Sequence, residues 1–199
     1  MSTALSKSRA RKLHIFGAKP EGSIFLPEQP YGVRLNCQAG QIAVSETEFL
    51  GTEMEISIIA CNRYYGDLGK TRNAEWLQIF FIPAPNNKLL PPDTVCVTYI
   101  KTRSLTQFTQ LVTKLMAEGE PAEGIFRVSF MSHMNKDGQP YKSVRFDWRP
   151  RYGEEEVRQL EQISDFLQNL PEPLQDLNGT RDMIPYSEYK KRALELVTL

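Results

Sequence analysis

Few side chains in this 199-residue chain stand at the spacings catalysis would need. Gly66-Asp67-Leu68-Gly69-Lys70-Thr71 ends like a phosphate-binding loop, whose glycine amides cradle phosphates while the lysine reaches them. The full pattern requires a glycine five positions before Gly69. That position is Tyr64, so the segment reads as a glycine turn with a solvated lysine. The histidines, His14 and His133, lack sequence neighbours that would orient them beside a nucleophile. Glu46/Glu48 and Glu53/Glu55 each place two carboxylates on one strand face, the kind of cluster that can hold catalytic metals. A solvated strand edge explains them more simply, because no lysine accompanies them at a recognisable spacing. Cys37, Cys61 and Cys96 include no CxxC and no paired histidine, so no four-ligand zinc set assembles. In a reducing cytosol they read as small core hydrophobes. No enzyme, cofactor or metal is expected.

Binding is a better match. Nonspecific contact with single strands requires cations that track phosphates and π-faces on which bases stack. The segment YKSVRFDWRPRY offers both: Arg145 and Arg149 alternate onto the side of Tyr141, away from Val144, Phe146 and Trp148, and Arg151 follows. Arg127 takes the corresponding face of the preceding strand. A loop near residue 66 adds Arg63, Tyr64, Tyr65, Lys70 and Arg72. The arginines are the candidate phosphate contacts, and Tyr64, Tyr65 and Tyr141 the candidate stacking platforms. Two competing readings apply to these residues. Arg145 and Arg149 flank Asp147 and could form a surface ion-pair ladder, while Phe146 and Trp148 suit a core better than a platform.

Net charge is zero, but its distribution is uneven: residues 1–152 carry +5 and residues 153–199 carry −5. A basic body would meet a polyanion, leaving the acidic end for other contacts. No run approaches 18 apolar residues, and no apolar stretch follows the basic start, so neither a membrane span nor a secretory signal is expected. The expectation is a cytoplasmic protein.

Residues 1–24 read as a flexible basic arm, 25–152 as one domain and 153–199 as a helical acidic extension. Gly32–Cys37 and Gln41–Phe49 could form a hairpin around Ala39-Gly40. Met54–Tyr65, Glu75–Ile82 and Thr94–Lys101 are predicted strands, with a turn-rich loop between the first two and proline punctuation before the third. The period then changes to 3.6. Ser104 and Gln107 form a capping-box pattern ahead of the stripe Leu105, Phe108, Leu111, Val112, Leu115 and Met116, and Gly119 stops it. Strands follow at Gly124–His133 and Tyr141–Arg149, joined by an Asp-Gly turn. Glu154–Leu170 is a second helix with the stripe Val157, Leu160, Ile163, Leu167 and Leu170, which could pack on its own domain or join a second copy. Ser187–Leu199 is a short amphipathic helix.

Three strands, a helix and two strands is the element order of the OB-fold. The fold class expected is therefore α+β, mostly β: a five-stranded Greek-key barrel with an extra N-terminal hairpin and a C-terminal helix. With these basic aromatic strands and the acidic end, residues 54–150 resemble the OB-fold single-stranded DNA-binding proteins of bacteria and phages. Arg181-Asp182-Met183-Ile184-Pro185-Tyr186 is similar to the acidic tip, ending Ile-Pro-Phe, with which the bacterial members recruit repair and replication enzymes; here 13 residues follow it. The resemblance implies a nonenzymatic binder of single-stranded nucleic acid, DNA foremost. The basic arm would add affinity, and the helix at 154–170 and the acidic end would serve oligomer or protein contacts. The alternative is a protein–protein adaptor or assembly subunit using the same Tyr/Arg-rich surface.

Overall fold

The structure is a computed structural model that describes residues 22–45 and 47–197. The basic arm and His14 therefore lie outside the described residues for the most part. Strands β1 (Tyr31–Gly32), β2 (Arg34–Asn36), β3 (Gln41–Ala43) and β4 (Phe49–Gly51) precede two long ones, β5 (Met54–Leu68) and β6 (Thr71–Pro83). Then come β7 (Cys96–Lys101), helix α1 (Thr102–Met116), β8 (Ile125–Met134) and β9 (Pro140–Arg149). Helix α2 (Glu154–Gln168), a single turn α3 (Leu177–Thr180), β10 (Met183–Pro185) and α4 (Tyr186–Val197) complete the chain.

The barrel expectation fails. The strands form one seven-stranded mixed sheet, ordered β1-β7-β6-β5-β8-β9 with β10 also on β5, and a separate three-stranded sheet, β2-β3-β4; neither closes. A five-stranded barrel would have to join β7 to β9, and both edges have other partners. β1 pairs with β7 in parallel, Tyr31 opposite Cys96. On β9, the Val144 amide donates to the Ser104 hydroxyl of α1 at 2.9 Å. The helix thus spans from β9 at one end of the sheet to β6 and β7 towards the other, over the core face, where a plug was expected at the end of a barrel.

The predicted glycine loop is also shorter than the sequence suggests. β5 and β6 pair from Ile56–Pro83 to Leu68–Thr71, leaving only Gly69-Lys70 as the turn, with Gly69 at φ +59°. Gly66 has a packing reason as well as a conformational one: a Cβ there would sit 2.5 Å from the Asp182 carbonyl oxygen and 2.8 Å from Met183 Cα. Its φ of +147° would strain any other residue.

The run Ile79-Phe80-Phe81-Ile82 is fully buried because β6 is covered on both faces. Ile79 and Phe81 join Ile56, Phe126, Val144 and Phe146 beneath Leu105 and Phe108 of α1, and the small sheet adds Val33 and Ile42 to the same core. Phe80 and Ile82 face the other way, into a second core with Val97, Ile163 of α2 and Leu174. Of the predicted α2 stripe, Ile163 and Leu170 pack into this second core, but Val157 and Leu167 are exposed. Gln159 is buried and Val157 is 47% exposed, because the Gln159 amide donates to the Pro83 carbonyl while its oxygen accepts from Ser57. Among the cysteines, Cys96 is buried, Cys37 half-buried and Cys61 exposed, so the core reading holds for Cys96.

Candidate nucleic-acid interface

The arginines singled out from sequence are placed by strand alternation as expected, and carboxylates meet most of them. Arg127 pairs with Glu53 at 2.5 Å, Arg145 with Asp147 at 2.7 Å and Arg63 with Glu75 at 3.4 Å. Arg72 faces Asp67 across the β5–β6 turn at 3.6 Å, while Lys70 is exposed at the tip of that turn. Arg149 is a fastener: it reaches Glu55 and Glu156 together, and both carboxyls are held below the ordinary range, foremost by the hydrogen bonds from Arg149. Arg151 is bound inside, donating to Ser57 Oγ and to the carbonyls of Glu123, Gly124 and Glu156. Burial lowers its pKa from the usual arginine value.

The tyrosines divide similarly. Tyr64 is 9% exposed and faces the α3 turn. Tyr65 already carries a ring: Tyr189 of α4 stacks on it at 3.7 Å with 12° between the planes, and Tyr186 lies 5.8 Å further along. The Asp-Met-Ile-Pro-Tyr string is correspondingly engaged, since Met183–Pro185 forms β10 on the edge of β5. Of the three candidate platforms, Tyr141 keeps an open face, at 38% exposure.

A different set of cations, Lys101, Arg103 and Lys142, lies on β7, α1 and β9, and Arg103 is the one that contacts Tyr141. β7 runs into α1 without a linker; Lys101 ends the strand, Thr102 turns at φ +49°, and Arg103 lies in the first helical turn. That corner puts two cations at the helix start, where no carboxylate occupies the first turn and no side chain caps the helix. Lys101 Nζ donates to Thr71 Oγ1 and stands 5.0 Å above the Trp76 ring. Arg103 Nη1 donates to the Tyr141 hydroxyl at 2.9 Å. The Tyr141 ring lies 5.1 Å from that of His133, whose Nε2 is 2.7 Å from Ser143 Oγ, and Ser143 donates to Gln107 of α1 at 3.0 Å. Lys142 Nζ donates to the Ala39 carbonyl at 3.0 Å.

Among the described residues, the partners of Lys101, Arg103 and Lys142 are hydroxyls, a carbonyl and an aromatic face. No ion pair among the described residues includes these three. The sequence contained a sign of this surface. Lys-Thr-Arg immediately before a helical stripe, with no Asp or Glu in the first turn, opposes the helix dipole and has a local cost. The capping-box pattern concealed it: Ser104 and Gln107 bond to β9 and do not cap the helix. No group of three or more metal-ligating side chains occurs among the described residues, and no helix there is long and apolar enough to cross a membrane.

Comparison with known proteins supplies no relative: no family model, curated protein or solved structure matches the chain.

Proposed function

We propose that this protein binds single-stranded nucleic acid without catalysis, across the corner where β7 passes into α1. Lys101, Arg103 and Lys142 contact phosphates there, and the Tyr141 ring, held by Arg103, stacks on a base. The observation that supports this reading most is the contrast in charge pairing. Arg63, Arg72, Arg127, Arg145 and Arg149 each face a carboxylate, whereas Lys101, Arg103 and Lys142 face only neutral groups among the described residues. A phosphate approaching Arg103 meets no ion-paired carboxylate among the described residues, and the exposed Tyr141 ring stands beside that guanidinium. Charge and π-face together are what sequence-tolerant single-strand binding needs.

The test is a fluorescence titration with oligo-dT at two salt concentrations. Three phosphate contacts on a single strand give a log–log salt slope of about −2, or roughly twentyfold weaker binding between about 50 and 200 mM salt. Tyr141→Ala should cost about 1–3 kcal/mol of binding, the range for one stacked base. Arg103→Glu should weaken binding more than Arg127→Glu, which places the contact at the α1 corner and away from the outer face of β8–β9. Absence of salt-sensitive binding at micromolar protein would overturn the proposal in favour of the protein–protein reading.

A further inference from the structure

The exposed stripe of α1 continues away from Arg103 through Thr106, Gln110 and Thr113, one helical face at spacings of three and four. From Arg103 to Lys114 it extends about 16 Å. Between this stripe and the β5–β6 hairpin lies an open groove of about 540 Å³, lined in part by Thr106, Thr109, Gln110 and Lys114. That volume falls within the range of small-molecule sites and exceeds what one base needs. Across from the helix, the groove wall carries one charged pair. Arg63 Nη1 stands 3.4 Å from Glu75 Oε1, with the two side chains 43% and 30% exposed, and Arg63 Nη2 donates to Thr109 Oγ1 at 3.0 Å. The guanidinium is thus held beside the carboxylate by a contact from the helix itself.

We infer that this groove is a base-reading pocket selective for guanine, continuous with the phosphate-binding corner at Arg103. The inference rests on the nucleic-acid reading above and adds specificity to it. The argument is donor and acceptor matching. A carboxylate accepts only and a guanidinium donates only. Guanine presents two adjacent donors, N1–H and the N2 amine, next to the O6 acceptor. Both carboxylate oxygens of Glu75 are then used, and Arg63 donates to O6. Adenine offers one donor beside one acceptor on this edge and cytosine one donor beside two acceptors, so each leaves half of the carboxylate unmatched. Thymine and uracil set carbonyl acceptors on both sides of a single N–H, so one of them meets Glu75 oxygen to oxygen. Edges of unpaired bases are read in this way because they are free of a complementary strand. Gln110 and the threonine hydroxyls, which can both donate and accept, accommodate the remaining ring atoms.

The experiment compares three labelled 12-mers by fluorescence anisotropy at low salt: all-dT, dT with one central dG, and dT with one central deoxyinosine, which lacks the N2 amine. The dG oligonucleotide should bind roughly five- to 150-fold tighter than all-dT, the discrimination of one good bidentate contact. Deoxyinosine should lose most of that gain. Glu75→Gln should erase the difference between the dG and dT oligonucleotides. If all three bind alike, base reading fails while the wider proposal stands. If none binds, both fail together. The inosine comparison requires no variant, so misfolding of Glu75→Gln would leave the inference testable.

Discussion

Arg149 donates through Nη2 to one oxygen of Glu55 and one of Glu156, at 2.7 Å in both cases. Glu55 belongs to β5 and Glu156 to the first turn of α2, so one guanidinium ties the second helix to the sheet. The three side chains are 28%, 22% and 13% exposed, so solvent screens their attraction only in part. Removing the arginine would leave two carboxylates facing each other.

Arg149→Ala should therefore destabilise the fold by about 3 kcal/mol, near the lower bound for breaking a buried pair. Urea unfolding at neutral pH measures it. The wild type should also lose stability in acid. Glu55 and Glu156 have folded pKa values below their unfolded ones, so their contribution is complete above about pH 4.5 and declines as pH falls through the depressed values. In Arg149→Ala that acid-dependent part should be largely absent, and an unchanged pH profile would refute the fastener role.

Ser104→Ala should cost about 1–3 kcal/mol, because the Val144 amide on β9 would lose its acceptor in a buried place. Ser104→Thr keeps the hydroxyl and should recover part of the loss. Hydrogen exchange at Val144 reads the same bond locally, and protection unaffected by Ser104→Ala would count against it.

The segment after α2 is fixed by a polar network. Gln78 donates to the Tyr99 hydroxyl at 2.6 Å, and Tyr99 donates to Asp176 Oδ2 at 3.0 Å. Burial pushes the Tyr99 hydroxyl above its ordinary pKa, so it remains a donor throughout the physiological range. A Cβ at Gly179 would press on the Tyr99 hydroxyl and sit 2.6 Å from Asp176 Oδ2. Gly179→Ala should lower the melting temperature and make residues 171–186 sensitive to limited proteolysis. A variant as resistant as the wild type would show that the network tolerates displacement.

Tyr189→Ala removes the ring stacked on Tyr65 and should cost about 1 kcal/mol, with loss of near-ultraviolet dichroism from the tyrosine column. If Tyr65 were an independent platform for a base, the same variant should instead strengthen oligonucleotide binding.

Much of the fold was legible because period is a strong signal. The α1 stripe and the alternation at Val144, Phe146 and Trp148 predicted a helix and a strand that the structure contains. Element order, however, does not determine which edges meet. The same succession of strands and helix leaves β7 paired with β1 and β9 bonded to a serine, and nothing local in Ser104 states that its hydroxyl serves a strand 40 residues away. Most of the candidate arginines are ion-paired for a related reason. Arg127 and Arg149 are on the faces that alternation assigns, but Glu53 and Glu55 reach those faces from another strand. Pairing between distant charges is a tertiary fact. Tyr141 remained because its partner, Arg103, is itself a cation.

The ladder between β5 and β8 contains only Met54–Val128, Glu55–Arg127 and Ile56–Phe126. By contrast, β5–β6 and β8–β9 are hairpins of neighbouring segments with many pairs each. The hairpins can form early from local encounters, whereas the joint must close a loop of more than 70 residues to gain three pairs. Residues 54–56 and 126–128 therefore give up more closure entropy per pair gained than either hairpin does.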